Sequence, residues 1–198
     1  MKLHSFTYYF NVLIEETEYA IDPFGFSVVK KMIGYNDDGS ESSIECDEYG
    51  NTVLSRMTDA DGKIVFEENF EYTYGEDGFP THTIQTSRFD DGSIFRMEAD
   101  AMGNRLFETQ TDPDGSIVYA YEYAYEYDER GRMIRELISE DGRPSFESFY
   151  AYEDDGFWGY QYRTVDYFTD GSKTVCDLDE FGEIITETMY DAEGNVIS

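Results

Sequence analysis

The chain has 198 residues, of which 44 are acidic and 14 are Lys or Arg, so its formal net charge is -30. This charge disfavours direct binding of nucleic acid, because phosphates are bound mainly by Lys and Arg, and it also disfavours anionic membrane surfaces. Aromatic residues make up 17% of the chain, which is more than disordered acidic segments usually contain, so a folded domain is predicted.

Residues 1–21 are predicted to be an N-terminal lead-in segment, because their pattern fits neither a helix nor a strand clearly. They show no cleavage site of the signal-peptide kind, and no apolar run in the chain approaches the ~18 residues of a membrane span. We therefore expect a cytoplasmic protein. The two cysteines, Cys46 and Cys176, give no disulfide framework and are predicted to be free thiols with the role of small buried hydrophobes.

Residues 22–198 are predicted to form one repeat domain, because the glycines recur in a fixed register. From Gly25 the spacings are 14, 11, 12 and 16, and the same four spacings follow from Gly78. The predicted units are 22–74, 75–127, an extra half-unit at 128–152, and a truncated unit at 153–198. Fourteen of the 17 glycines close short polar turns such as TDADG at 58–62. Asp-Gly suits tight turns, since glycine accepts positive φ and Asp can bond its own backbone.

The segments between these turns have strand length, so the predicted fold class is all-β: an antiparallel meander of about 14 short strands. A flat sheet of that size would leave aromatic faces wet, so it is expected to coil, fold over or close. The clearest strand is SIVYAYEYAYEY at 116–127. Its period of two places five tyrosines on one face: Tyr119, Tyr121, Tyr123, Tyr125 and Tyr127. Two interpretations stay open, since stacked tyrosines bind sugar rings or bases, and they also pack across strands as a buried face.

The turn-and-strand pattern resembles the YD repeats of RHS and teneurin-type proteins. The best matches are YDERGRMI at 127–134 and YDAEGNVI at 190–197, and the segments at 47–51 and 100–106 are looser matches. The resemblance runs through most of 22–198 and implies a spiralling β-sheet, which in that family often forms a shell around a toxin or other cargo. This chain is much shorter and more acidic than such a shell and lacks the cleaved C-terminal toxin, so the resemblance concerns strand architecture only.

The sequence predicts a protein that is not an enzyme and needs no cofactor. The only histidines, His4 and His82, lie in no catalytic or metal motif, and no glycine-rich phosphate loop is present. The turn sequences DADG and DPDG resemble fragments of a calcium loop, but they lack its ligands. With Gly62 at loop position 6, position 1 is Met57, and in the next unit position 12 is Tyr121. No metal site and no catalytic residue are therefore predicted.

The acidic excess follows the repeat and is not confined to a tail. By segment the net charge is -2 for 1–21, -8 for 22–74, -8 for 75–127, -2 for 128–152 and -10 for 153–198. Solubility of a small domain needs only about 2–8 net charges, and a larger excess costs self-repulsion. The predicted function is therefore to bind a basic protein, in particular a protein that itself binds nucleic acid.

The predicted partner-binding residues are paired turn carboxylates: Asp37, Asp38, Asp59, Asp61, Asp90, Asp91, Asp112, Asp114, Asp154 and Asp155. Same-edge turns of a meander recur about every 10 Å, so such acids would imitate a phosphate track coarsely. An inhibitor of a nuclease such as a CRISPR effector, or an immunity protein for a nuclease toxin, fits this pattern. The alternatives are a carbohydrate or cell-surface binding module that uses the tyrosine face, and a structural relative of an RHS shell.

Overall fold

A computed structural model describes residues 3–9, 12–152 and 159–197, and these residues form strands and turns without any helix. Among them there is accordingly no helix long and apolar enough to cross a membrane. The fifteen strands are β1 (Leu3–Tyr9), β2 (Val12–Ile21), β3 (Ser27–Tyr35), β4 (Glu41–Cys46), β5 (Thr52–Thr58), β6 (Ile64–Tyr74), β7 (Pro80–Phe89), β8 (Ile94–Asp100), β9 (Arg105–Thr111), β10 (Ile117–Tyr127), β11 (Met133–Glu140), β12 (Arg143–Tyr152), β13 (Gly159–Tyr167), β14 (Lys173–Leu178) and β15 (Ile184–Tyr190).

The strands follow one another through a single antiparallel sheet in the order β1 to β15, without a crossover. The prediction of an all-β antiparallel meander is confirmed. The sheet has fifteen strands, against the predicted number of about 14, and residues predicted as a lead-in segment form the hairpin of β1 and β2. In that hairpin Leu3 pairs with Tyr19 and Ser5 pairs with Thr17.

The turns lie where the glycine spacing places them. Thirteen of the fourteen turn glycines belong to the described residues, and all thirteen have φ between 73° and 92°. The turn at 59–63 shows the mechanism: the Asp59 amide donates to the Lys63 carbonyl, and the Gly62 amide donates to the Asp59 carbonyl. Only glycine adopts this left-handed conformation without a steric penalty, so the glycine register fixes where each strand ends.

The chain divides into two compact units, 1–118 and 119–198. The first unit contains β1 to β9 and the start of β10, and the second contains the rest of β10 and β11 to β15. Within each unit, strands contact their neighbours in the sequence.

Few described side chains in either unit are buried, and most of those are polar. The buried apolar residues among the described ones are Ala99, Val165 and Cys176. The largest side chains on the strands are mostly half-buried by neighbours in the same sheet. Lateral packing between adjacent strands, and not a core between two layers, therefore supplies most of the apolar burial in each unit.

Candidate partner-binding edge

In the first unit, four turns occupy the same sheet edge because they join β3 to β4, β5 to β6, β7 to β8 and β9 to β10. We call this the acidic edge; its turns are 36–40, 59–63, 89–93 and 112–116. They carry eight aspartates and a single basic residue, Lys63. The residues are the predicted ones: Asp37, Asp38, Asp59, Asp61, Asp90, Asp91, Asp112 and Asp114. The pattern of the sequence therefore places four of the five predicted pairs on one edge.

Neighbouring turns of the acidic edge pack against each other. A Cβ added to Gly39 would lie 3.4 Å from the Cβ of Ala60, and one added to Gly92 would lie 3.4 Å from the Cβ of Pro113. These contacts join the turns in two neighbouring pairs, 36–40 with 59–63 and 89–93 with 112–116. The fifth predicted pair, Asp154 and Asp155, lies outside the described residues.

Half of the acidic-edge carboxylates are used by the turns themselves. The Oδ1 atom of Asp38 accepts hydrogen bonds from the Ser40 amide at 2.9 Å and from its hydroxyl at 2.6 Å, and Asp114 binds Ser116 in the same way. The Ser hydroxyl and amide hydrogen bonds hold the pKa of both carboxyls below the usual range. The amide and hydroxyl of Ser93 lower the pKa of Asp91 likewise.

Asp59 also stabilises its own turn: its Oδ1 atom accepts hydrogen bonds from the amides of Asp61 at 3.0 Å and Lys63 at 2.9 Å. The remaining four carboxylates are exposed, and among the described residues they accept no hydrogen bond and form no ion pair. These four are Asp37, Asp61, Asp90 and Asp112. The acidic edge thus has a set of aspartates that build turns and a set that the fold does not use.

Many basic side chains of the first unit are neutralised on the strands. Lys31 Nζ lies 2.8 Å from Glu45 Oε1, and Arg56 Nη2 lies 2.6 Å from Glu67 Oε2. Further pairs join Arg96 to Glu98 at 2.6 Å and Arg105 to Glu108 at 2.8 Å. Because these cations are held by glutamates within the sheet, they do not offset the charge of the turns.

The five tyrosines of β10 project to one face, as the alternation requires, and none of them is fully buried. Tyr119, Tyr121, Tyr123 and Tyr125 are half-buried, and Tyr127 is 37% exposed. Across the β10–β11 pair, Tyr123 faces Ile138. The tyrosines gain lateral cover from β11, so most of each side chain is covered while part of each ring stays accessible.

The turns at the opposite edge of the first unit carry apolar side chains, which the sequence analysis did not predict. Its turns at 22–26, 47–51, 75–79 and 100–104 present large apolar side chains, and we call it the aromatic edge. The apolar tips are Phe24, Tyr49, Phe79 and Met102. The difference between the two edges can be read from the sequence at the residue before each turn glycine. It is Asp in all four turns of the acidic edge, and it is Phe, Tyr or Met in three of the four turns here.

The described side chains include both histidines and both cysteines. Among them, no group of three or more His, Cys, Asp or Glu residues is arranged to hold a metal ion. His82 is half-buried in β7, and its Nε2 lies 3.3 Å from Glu98 Oε2. Cys46 is a half-buried free thiol and Cys176 a buried one, and burial raises the pKa of both, which keeps them protonated.

No family model matches the chain, and no curated protein matches it significantly. The resemblance to YD repeats stays a prediction.

Proposed function

We propose that this protein is a non-enzymatic, cytoplasmic binding protein whose acidic edge engages a basic surface of a partner protein. The observation that carries the proposal is the row of exposed, unused carboxylates on that edge. Side chains that neither stabilise the fold nor pair with a cation retain their full charge for a partner. Asp37, Asp61 and Asp90 each contribute such a carboxylate from a different turn.

The favoured partner is a protein that binds nucleic acid, because the acidic edge imitates a phosphate backbone in sign and rough spacing. Strands lie about 4.8 Å apart, so turns on the same edge recur about every 10 Å. Duplex DNA is denser, with about one charge per 1.7 Å of axis, so the imitation is coarse. Complementary potential speeds association with a basic groove and disfavours acidic partners, even where the charge spacing matches only coarsely.

Two biological roles need the same chemistry. An inhibitor of a defence nuclease such as a CRISPR effector would occupy the groove that holds nucleic acid. An immunity protein for a nuclease toxin would do the same on its cognate toxin. Both roles require fast, salt-dependent association with a cationic site and no catalytic group on this chain.

The test is a pull-down from nuclease-treated lysate across a salt series, followed by elution with duplex DNA. The variant of the acidic edge is Asp37→Asn, Asp61→Asn and Asp90→Asn, and its matched control, in turns of the second unit, is Glu129→Gln, Glu180→Gln and Glu193→Gln. Both remove three charges from exposed turns. The proposal expects duplex DNA to displace the captured partner from the parent protein. The variant of the acidic edge should fail to capture this partner, whereas the control variant should still capture it. Equal capture by all three proteins at low and physiological salt would contradict it.

A second candidate is a carbohydrate-binding module, which the partial exposure of the β10 tyrosines favours. Stacking on sugar rings needs an accessible aromatic face, and Tyr127 is 37% exposed. A glycan-array screen of the parent and of Tyr125→Ala tests it. Saturable binding of a glycan that the substitution abolishes would support this candidate over the acidic edge.

A further inference from the structure

The apolar tips of the aromatic edge are not required by the turns in which they occur. Phe24, Tyr49 and Met102 each stand immediately before the turn glycine. On the acidic edge the same position is filled by Asp, and the turns keep the same pattern of backbone hydrogen bonds. The turn geometry therefore accepts a small polar residue here, so the turn itself does not require a large apolar one.

These tips are also unusually exposed for their size. Phe24 is 61% exposed, and Phe79 and Met102 are each 71% exposed. Large apolar side chains that cluster on a surface mark interaction sites, whereas single ones need no explanation. Here they recur on successive turns of one edge.

Two of the four tips, Phe24 and Tyr49, are held by ring contacts before any partner binds. The ring of Tyr49 lies 4.5 Å from that of Tyr74 and 6.3 Å from that of Phe24, centroid to centroid. A Cβ added to Gly78 would lie 2.7 Å from Phe24 Cζ, so this ring rests directly on the glycine backbone. Rings fixed in this way lose little conformational entropy on binding, which favours affinity.

The negative charge around the apolar tips indicates which kind of partner would bind. The four turns of the aromatic edge contain six acidic residues and no Lys, Arg or His. Glu48, Glu76 and Asp77 are exposed beside the rings. An Arg guanidinium stacks on aromatic faces and pairs with carboxylates, so it satisfies both features of this edge.

We propose that the aromatic edge of the first unit binds an arginine-rich, amphipathic segment of a partner protein. Apolar side chains of that segment contact Phe24, Phe79 and Met102, and its Arg side chains pair with the flanking carboxylates. This surface is separate from the acidic edge, and its test uses different residues, so either proposal can fail alone.

The probe is a short synthetic peptide in which Arg and Leu alternate, titrated by calorimetry at physiological salt. The control peptide replaces every Leu with Ser. The tip variant is Phe24→Ser, Phe79→Ser and Met102→Ser; its matched control replaces exposed apolar residues away from that edge, as Ile64→Thr, Ile117→Thr and Val118→Thr. Thermal melts establish that each variant is folded.

The proposal expects saturable binding of the Arg-Leu peptide that weakens about tenfold or more in the tip variant, the loss typical of anchor residues, and stays unchanged in the control variant. The Arg-Ser peptide should bind more weakly and should not distinguish the variants. Equal affinity of the parent and the tip variant would overturn the proposal. Binding to phosphatidylcholine vesicles that the tip variant loses, without peptide binding, would also overturn it.

If the triple tip variant does not fold, the double variant Phe79→Ser and Met102→Ser replaces it. These two side chains are the most exposed of the tips, so their removal disturbs the fold least. The same weakening of peptide binding is expected, and its absence contradicts the proposal.

Discussion

The hydroxyl of Tyr74, at the end of β6, donates a hydrogen bond to Oδ2 of Asp47 in the turn between β4 and β5. The other carboxylate oxygen of Asp47 accepts the amides of Tyr49 and Asn51, each at 2.9 Å. One aspartate thus closes its own turn and ties it to the next hairpin. Burial and the Asp47 carboxylate together raise the pKa of Tyr74, which keeps its hydroxyl a donor.

Replacing Tyr74 by Phe should lower the free energy of unfolding by about 1–2 kcal/mol, the range for a hydrogen bond to a charged group in a partly exposed site. The ring stays, so its packing on Tyr49 is retained. Urea titration measures the difference. Tyr49→Phe is the control, since no hydrogen bond of the Tyr49 hydroxyl is found among the described residues. A loss as large in the control would mean that the Tyr74–Asp47 bond contributes nothing specific.

The carboxyl of Asp114 should titrate below the usual Asp range in the folded protein, because the Ser116 hydroxyl and amide both donate to it. A folded pKa below the unfolded value of about 3.9 stabilises the protein above that pH, and the contribution disappears as pH falls through the folded pKa. NMR titration of the side-chain carboxyl carbons measures this pKa directly.

Ser116→Ala removes the hydroxyl donor and keeps the amide donor. The pKa of Asp114 should rise toward its usual value, and acid unfolding should begin at a higher pH than in the parent. Ser116→Thr is the control, because it keeps a hydroxyl at this position and should leave the pKa of Asp114 low. An unchanged Asp114 titration would show that the hydroxyl bond does not form in solution.

The positions of the turns could be predicted from sequence because their physical cause is local. A left-handed φ requires glycine, so a glycine register reports strand ends without reference to the rest of the fold. The β1–β2 hairpin was missed for the same reason, since its connection at Phe10 and Asn11 contains no glycine. The glycine pattern therefore reveals only those turns whose backbone conformation requires glycine.

Burial could not be predicted in the same way. Alternation in β10 fixes which side chains share a face, but it does not say whether a second layer covers that face. The turn acids show a similar limit. The sequence identified Asp38 and Asp37 as equivalent acids, whereas the structure uses the first to bind Ser40 and leaves the second exposed. The spacing of the turns predicts at which edge of the sheet an aspartate lies. The direction of its side chain decides whether its carboxylate is available to a partner.

Two glycine substitutions should separate backbone strain from packing. Gly62 has φ of 79° and its added Cβ would meet nothing within 4 Å, so Gly62→Ala should cost only the left-handed penalty of about 1–2 kcal/mol. Gly50 has φ of 89°, and its added Cβ would lie 3.1 Å from Val28 Cγ1. Gly50→Ala should therefore cost about 1 kcal/mol more, from overpacking. Thermal unfolding of both variants measures this, and an equal loss would contradict the packing contact.

The tyrosine face gives a last prediction in which burial decides the magnitude. A fully buried aromatic residue costs about 3–5 kcal/mol when it is cut back to Ala. Tyr123 is half-buried and packs beside Ile138 across the β10–β11 pair, so Tyr123→Ala should cost about 1.5–2.5 kcal/mol, including a cross-strand contribution. Glu122→Ala, on the other face of β10, is the control and should stay within about 0.5 kcal/mol of the parent. Denaturant unfolding distinguishes the cases. A loss above about 3 kcal/mol would mean that a partner or another part of the chain covers this face in solution, and a loss below about 0.5 kcal/mol would mean that the rings stand free for a ligand.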